Sequence, residues 1–316
     1  MTWKIREIKI KGRAVLAPMT KITDLPFRLL CRELGADLAF TEMVNCNAVS
    51  RGNEAAKKLF FTVADDQPLG IQLLGSKPEK FLRTAQQIPR VNESNFLDIN
   101  FSCPDRTVID QGAGAALLHR PTRMVDIVSL LVREQSLPVT AKIRLMSSRG
   151  EKTVKRACLL EAAGVSAITV HARAVKQGNS GKANWEAIRE IKKAVSIPVI
   201  GNGGIQESGQ QFITMLSHTG CDAVMIGKAA IYHPGLFSRV DGKEKWRRFS
   251  PATKLSWLEK YRNHAEKCGV LNSQRLLNRA RDFLRTSISL KQINYLFNQA
   301  TGADEFLCAC KRELDR

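Results

Sequence analysis

The sequence contains no apolar run near the ~20 residues that a membrane-spanning helix needs. No apolar core follows the basic stretch at residues 1–11, so a secretory signal peptide is not expected. The eight cysteines include no C-x-x-C pair, and none of them suggests a zinc site. We therefore expect a cytoplasmic protein with reduced thiols, no membrane segment and no bound metal.

Acidic residues are few relative to basic ones. The 316 residues include 49 Lys and Arg against 30 Asp and Glu, which gives a formal net charge of +19. A compact enzyme that acts on a small neutral metabolite does not need this excess, which favours a polyanionic partner. Nucleic acid is the favoured partner, and an anionic membrane surface or a generally basic proteome are the alternatives. The 44% of hydrophobic residues excludes a mainly disordered chain.

Up to Gly227, short apolar segments alternate with amphipathic helical patterns. Eight segments are strand candidates: 14–19, 37–44, 69–74, 96–101, 139–145, 167–173, 198–202 and 223–227. Several are continuous apolar runs, which is typical of parallel strands buried on both faces. Eight βα units predict an α/β fold, a (β/α)8 TIM barrel. The alternative, an open doubly wound sheet, would usually carry G-x-G-x-x-G after its first strand, and this chain does not.

After Gly227 the strand patterns stop and helical periodicity continues. Residues 242–316 include 16 Lys and Arg but only 8 Asp and Glu. We predict two domains, a catalytic barrel at 1–240 and a small, basic, all-helical domain at 241–316.

One basic helix is predicted within residues 273–290. Its apolar residues fall on one arc, and Arg275 and Arg279 flank that arc on one side. The arc should pack inward and the arginines should face outward, either toward a ligand or simply toward solvent.

Functional side chains of such barrels lie at the C-terminal ends of the strands. Cys103 follows the fourth predicted strand, where a thiol can act as a nucleophile or a general acid; a purely structural thiol is the alternative. Asn100 lies at the same end and offers a donor and an acceptor. The small residues at 112–116 either let the chain pass close to a ligand or form a tight packing turn.

Two cations end the fifth predicted strand. Lys142 and Arg144 point to the same side of it because side chains alternate along a strand. Two inward cations in a barrel are costly unless paired, so they predict an anionic or electron-rich ligand. Ion pairing with Glu42 or Asp98 is the alternative.

Other strand ends are also polar. His171 and Arg173 end the sixth strand, although a satisfied core histidine is the alternative for His171. Gln72 lies inside the third strand and must find hydrogen-bond partners, which the edge of a heterocycle would supply.

Glycine turns end the last two strands, at Asn202-Gly203-Gly204 and at Gly227-Lys228. Many barrels hold a phosphate at these two strands, and Lys228 adds a positive charge there. A phosphate site, inward cations, a glutamine and a thiol in one barrel mouth fit flavin mononucleotide (FMN). Its electron-rich N1/O2 edge would meet Lys142 and its pyrimidine edge would meet Gln72.

The ordered set of motifs across residues 14–235 resembles the tRNA-dihydrouridine synthases. The matching residues are Ala17-Pro18-Met19, Gln72-Leu73-Leu74-Gly75, Asp98-x-Asn100-x-x-Cys103-Pro104, Gly114-Ala115, Lys142-x-Arg144, His171-x-Arg173, Asn202-Gly203-Gly204 and Ile226-Gly227. The resemblance implies an FMN-binding barrel followed by a helical domain that binds tRNA. It also implies the FMN contacts Pro18, Met19, Thr20, Gln72, Lys142, His171, Asn202, Gly203, Gly204, Gly227 and Lys228.

The resemblance implies reduction of the C5=C6 bond of a uridine in tRNA, with NADPH as the reductant of FMN. Cys103 would be the catalytic acid that protonates C5 after hydride reaches C6. The implied substrate-binding residues are Asn100, Arg144, Arg173, Arg275 and Arg279. Nothing in the sequence demands more than a monomer.

The chain departs from the family pattern at three points. The family usually reads N-x-G-C-P, and Ser102 stands here before Cys103. Arg106 and Lys228 replace a usual lysine and a usual arginine, respectively. Ser-Cys-Pro resembles the dihydroorotate dehydrogenases, so an FMN enzyme acting on such a small molecule is the alternative function. A non-catalytic RNA-binding relative is a third possibility, although simple binding needs no thiol.

Overall fold

Parallel strands around one axis form the body of the molecule, and the predicted barrel is confirmed. The computed structural model describes residues 2–89, 95–148, 150–206, 209–240 and 248–315. The strands are β1 Thr2–Ile5, β2 Ile8–Lys11, β3 Ala14–Leu16, β4 Ala39–Phe40, β5 Val44–Asn45, β6 Leu69–Leu74, β7 Asn95–Phe101, β8 Val139–Leu145, β9 Ile168–Ala174, β10 Val199–Asn202 and β11 Ala223–Ile226. The barrel order is β3, β11, β10, β9, β8, β7, β6 and β4, and β5 also pairs with β6. A parallel bridge between Val15 and Leu38 leaves the barrel nearly closed.

Helices follow the strands around the barrel and continue after the last one. They are α1 Leu25–Glu33, α2 Cys46–Val49, α3 Glu54–Lys57, α4 Pro78–Ala85, α5 Arg106–Asp110, α6 Pro121–Glu134, α7 Glu151–Ala162, α8 Trp185–Ala194, α9 Gly209–Thr219, α10 Lys228–Tyr232, α11 Pro251–Lys267, α12 Ser273–Leu284, α13 Leu290–Gln299 and α14 Ala303–Leu314. The predicted run of C-terminal helices is therefore confirmed. Within the described ranges, no helix is both long and apolar enough to cross a membrane.

The second barrel position differs from the prediction. One strand is predicted over 37–44, and the structure has β4 and β5 with residues 41–43 between them. The hydroxyl of Thr41 accepts the amide N–H of Gln72 at 3.1 Å, so a side chain replaces a backbone carbonyl in the ladder. This interruption lets Glu42 and Met43 leave the strand near the mouth of the barrel.

An N-terminal hairpin, which the sequence analysis did not predict, covers the bottom of the barrel. β1 and β2 pair antiparallel, with Trp3 opposite Ile10. Their alternate residues are buried against inward side chains near the N-terminal ends of the strands, including Val15 and Phe96. Because the two strands are short and basic, their alternation of apolar and charged residues is too brief to predict a hairpin.

The barrel interior is apolar at this lower end. Phe40 and Phe96 meet edge to face with ring centroids 5.6 Å apart. Gly70 makes room for them, because a Cβ atom there would lie 2.4 Å from Phe40. Above this layer the inward side chains become polar, and parallel register places Gln72 beside Asp98. The change in polarity positions a polar site at the upper end.

The C-terminal helices pack against α1. Phe283 of α12 stacks on Phe27 of α1 with centroids 6.4 Å apart, and Trp257 of α11 meets Phe283 edge-on at 6.0 Å. The predicted boundary between residues 240 and 241 adjoins residues 241–247, which lie outside the described residues, so it stays a prediction.

The helix predicted within 273–290 is real but ends at Leu284, and its apolar arc is buried as predicted. The expectation that both flanking arginines face outward is wrong for Arg279, whose side chain is 1% exposed. Its guanidinium lies over the ring of Phe27 at 4.9 Å and pairs with Asp282 at 2.9 Å. Arg275 is about half exposed.

Candidate active site

A cavity of about 750 Å³ opens at the C-terminal ends of the barrel strands. Most predicted site residues line it: Pro18, Met19, Gln72, Asn100, Cys103, Lys142, Arg144, His171, Arg173, Asn202, Gly203, Gly204, Gly227 and Lys228. Thr20, Arg275 and Arg279 are not among its described lining residues. The sequence pattern therefore brings together one set of polar side chains, and the roles predicted for these three residues stay predictions.

A chain of hydrogen bonds crosses the floor of the cavity. Gln72 Nε2 donates to Asp98 Oδ2 at 2.6 Å, and Asn100 Nδ2 donates to Gln72 Oε1 at 2.8 Å. Thr140 Oγ1 donates to Asp98 Oδ1 at 2.7 Å. Burial raises the pKa of Asp98 to about 6, although these hydrogen bonds lower it. The network locks Gln72 in one orientation and leaves one of its two Nε2 hydrogens for a ligand.

Lys142 reaches into the cavity without a carboxylate partner. Its Nζ lies 3.2 Å from Asn202 Oδ1 and 3.4 Å from Ser102 Oγ. The alternative of an ion pair with Glu42 or Asp98 is not realised within the described residues, where Nζ hydrogen-bonds to these two neutral groups. Burial, reinforced by Arg144, lowers the pKa of Lys142 to about 7. An electron-rich ligand would restore the charge on this amine.

His171 is a partly buried imidazole near three basic side chains. Burial first, and then the charges of Lys142, Arg144 and Arg173, lower its pKa to about 2. The ring is therefore neutral at physiological pH. Its Nδ1 has no hydrogen-bond partner among the described groups. The alternative of a satisfied core histidine does not hold for that atom, and a polar ligand in the cavity would satisfy it.

The two arginines at the strand ends hold the loop that follows β9. Arg144 donates to the carbonyl of Gly178 and to Asn179 Oδ1, the latter at 3.2 Å. Arg173 Nε donates to the carbonyl of Gly181 at 2.9 Å. Both guanidinium groups also line the cavity, so they can face an anionic or carbonyl-bearing ligand while they fix this loop.

Cys103 sits on a rigid turn at the cavity mouth. Its amide N–H donates to Asn100 Oδ1 at 2.8 Å, and its carbonyl accepts the N–H of Ala115 at 3.0 Å. Gly114 packs directly on this turn, because a Cβ atom there would lie 2.9 Å from the carbonyl oxygen of Cys103. The segment 112–116 is thus a packing turn that supports Cys103. Burial raises the pKa of the Cys103 thiol, which keeps it protonated at neutral pH.

The glycine turns lie together on the far side of the cavity. Gly203 and Gly204 both have positive φ, +97° and +92°. Gly227 caps the short helix α10, whose first residue is Lys228. Backbone N–H groups and one lysine thus lie close together, which is the arrangement that binds a phosphate.

Sequence reasoning missed several lining residues, including Met43, Asn179, Tyr232 and Arg285. Met43 is exposed to the cavity by the break between β4 and β5. Arg285 follows α12 and lies over the ring of Tyr232, 4.2 Å from its centroid. Only the charge of Arg285 gave a signal, since helical periodicity does not show that this helix ends at the barrel mouth.

Comparisons with known proteins agree with this geometry. The model of the family described as dihydrouridine synthase (Dus) matches residues 15–309. A probable tRNA-dihydrouridine synthase of Aquifex aeolicus is 37% identical over 275 residues, covering 84% of this chain and 85% of the relative. tRNA-dihydrouridine synthase B of Pseudomonas aeruginosa is 36% identical over 239 residues, covering 75% and 71%.

Solved structures share the barrel at low sequence identity. Morphinone reductase in complex with tetrahydroNAD aligns with a TM-score of 0.56 and 13% identity, over 80% of this chain and 93% of that one. Histamine dehydrogenase from a Rhizobium species aligns with a TM-score of 0.56 and 13% identity, over 83% and 50%. These two likenesses concern the fold. The family match covers nearly all of the chain, and the protein belongs to the dihydrouridine synthase family.

Proposed function

We propose that this protein reduces the C5=C6 bond of a uridine in tRNA, with FMN as cofactor and NADPH as reductant. One observation carries the proposal: in the part of the chain that the structure describes, a buried lysine without a carboxylate partner and a cysteine thiol face the same cavity. The relatives named as tRNA-dihydrouridine synthases support the substrate class. We further propose that the enzyme is monomeric and cytoplasmic.

The lining of the cavity fits FMN. Lys142 would hold the electron-rich edge of the ring, and the free Nε2 hydrogen of Gln72 would meet the pyrimidine edge. His171 Nδ1, which has no hydrogen-bond partner among the described residues, would be a further polar contact. The phosphate would lie at the glycine turns beside Lys228, with Asn202, Gly203, Gly204 and Gly227. When bound, FMN supplies reversible two-electron chemistry, and Pro18, Met19 and Thr20 would border it.

Cys103 holds the proton that the substrate needs. Its thiol carries a proton at neutral pH because burial raises its pKa. Asn100 fixes the turn that presents Sγ, and we assign Cys103 as the general acid that delivers this proton to C5. Arg144 and Arg173 would orient the uracil, since both line the cavity close to this turn.

The tRNA must present its uridine outside the base stack, because the reacting residues lie inside the barrel mouth. A net charge of +19 provides the phosphate contacts that hold the RNA in place. We assign most of this contact to the barrel rim and to the basic segment 241–316.

The test is formation of dihydrouridine. Purified flavin-loaded protein is incubated with NADPH and unmodified tRNA transcripts, and the nucleosides are measured by mass spectrometry after digestion. We expect one uridine position to gain two hydrogens, and fragment mapping will identify it. A parallel incubation with NADH measures the preference for the reductant. No dihydrouridine across a full set of tRNAs would refute the proposal.

The thiol is tested with Cys103→Ala. Turnover should fall by roughly 10²–10⁴-fold, because one positioned general acid contributes about that factor. FMN and tRNA affinities should stay near those of the wild type, since the variant removes only Sγ. A variant that keeps the wild-type rate would show that another group supplies the proton.

A second candidate function rests on Ser102. This residue is 4% exposed, and its hydroxyl lies 3.4 Å from Lys142 Nζ. A serine beside the thiol resembles the dihydroorotate dehydrogenases. Flavin-loaded protein that oxidises dihydroorotate and leaves tRNA unchanged would favour this function over the first.

A further inference from the structure

Two arginines of α12 reach the barrel segments that line the cavity. Arg275 and Arg279, here called the α12 arginine pair, lie one turn apart on the helix face that meets the barrel. Their targets are the turn at residues 19–24, which begins with Met19, and the segment 41–43, which ends with Met43. Both methionines line the cavity.

Arg279 binds the turn through its backbone. Its Nη2 donates to the carbonyls of Lys21 and Ile22 at 3.2 and 3.4 Å. Lys21 has φ +62°, an unfavourable conformation for a residue with a side chain, which persists only when neighbouring groups hold it. A buried guanidinium bonded to two successive carbonyls is such a group.

Arg275 joins the two segments through carboxylates. Its Nη1 contacts Asp24 Oδ2 at 2.9 Å and its Nη2 lies 3.9 Å from Glu42 Oε1. Glu42 Oε1 has no hydrogen-bond partner among the described groups, so this guanidinium is its charge partner. The other oxygen of Glu42 accepts the amide N–H of Lys21 at 2.5 Å. Arg275 therefore connects the segment 41–43 to the turn.

We propose that the α12 arginine pair positions the turn 19–24 and the segment 41–43 against the flavin, rather than contacting tRNA. This inference rests on the proposed FMN site. The pair makes the C-terminal helices part of the cofactor site, although none of these contacts reaches the cavity directly. Arg275 and Arg279 are positioning residues, and their effect passes through Met19 and Met43.

The test compares flavin affinity with tRNA affinity in matched variants. Arg275→Gln removes the charge that meets Asp24 and Glu42, and Arg279→Lys keeps a charge but loses the fork that spans two carbonyls. Arg281→Gln is the control, because Arg281 lies on the same helix and bonds to Asn294 instead. FMN dissociation constants come from quenching of flavin fluorescence, and tRNA dissociation constants from filter binding.

We expect Arg275→Gln and Arg279→Lys to weaken FMN binding by about three- to tenfold, toward the lower end of the coupling found between contacting residues. The visible circular dichroism of the bound flavin should change, and amide hydrogen exchange in residues 19–24 should rise in the flavin-free variants. Arg275→Lys should restore part of the FMN affinity, whereas Arg281→Gln should alter none of these signals. If Arg279→Lys does not fold, the comparison of Arg275→Gln with Arg275→Lys tests the positioning role.

Four outcomes would contradict the inference or the proposed function on which it rests. If FMN affinity and amide hydrogen exchange are unchanged in Arg275→Gln, the positioning role is refuted. If this variant loses only tRNA affinity, Arg275 contacts tRNA instead. An equal loss of FMN affinity in Arg281→Gln would mean that the helix acts only through general stability. Wild-type protein that binds no FMN refutes the proposed cofactor itself, separately from the role of the pair.

Discussion

The side-chain amine of Lys142 is almost entirely shielded from water. Its side chain is buried, its Nζ hydrogen-bonds to two neutral oxygens of described residues, and its pKa falls from 10.5 to about 7. Above about pH 7 the folded flavin-free protein therefore holds mainly the neutral amine, whereas the unfolded chain keeps the charged form up to pH near 10. The buried amine therefore lowers the free energy of unfolding when no electron-rich ligand is bound.

The destabilisation of the flavin-free protein by Lys142 depends on pH. Between pH 7 and about 10.5 the unfolded chain holds a proton on Lys142 that the folded flavin-free protein lacks, so raising the pH stabilises the folded state. Relative to Lys142→Met, which does not titrate, the flavin-free wild type should gain at least about 1 kcal/mol of unfolding free energy from pH 6.5 to 9.5. Chemical denaturation at both pH values measures the difference. A constant difference would mean that Lys142 keeps its ordinary pKa in the fold.

At the scale of elements, the hairpin of β1 and β2 closes the barrel end opposite the cavity. Ile10 is fully buried against the apolar layer, while Lys9 beside it faces solvent. Ile10→Ala should lower the unfolding free energy by about 2–5 kcal/mol through lost burial and a residual cavity. Lys9→Ala should change it by less than about 0.5 kcal/mol.

The hairpin variants also separate stability from function. Denaturant titration gives the stability, and FMN affinity should change little in both variants because the hairpin closes the end of the barrel opposite the cavity. An Ile10→Ala variant with wild-type stability would show that the hairpin is not part of the cooperative core.

At the scale of the whole molecule, the positive charge is spread over both sequence segments. tRNA binding should therefore weaken steeply with salt, by about 10³-fold or more between 50 and 200 mM if six or more phosphates are contacted. FMN affinity should fall far less over this range, because its contacts lie inside the barrel and exposed charges are screened more than buried ones. Filter binding and flavin fluorescence across the salt series measure both, and a flat response for tRNA would remove charge as the basis of binding.

Most of the fold was open to prediction from local patterns. Strands such as β6 and β8 appear with their predicted bounds, because short, mainly apolar or β-branched segments between helical patterns are typical of buried parallel strands. The hairpin of β1 and β2 was missed, since four-residue strands with lysines on alternate positions carry little periodic signal. The break at 41–43 was also missed, because it depends on one hydrogen bond from Gln72 to Thr41.

Part of the candidate site could also be predicted from the sequence, and part of it depends on tertiary contacts. Residue order alone placed Gln72, Lys142 and His171 together, because the C-terminal ends of barrel strands converge wherever the barrel closes. Helical periodicity identified the buried arc of α12 but not what its flanks would meet. Whether Arg279 faces solvent or lies over Phe27 depends on how α12 packs on α1, a contact between residues 252 positions apart. Contacts between residues so far apart produce no periodic pattern in the sequence. The proposed roles of Arg275 and Arg279 can therefore be inferred only from the tertiary structure.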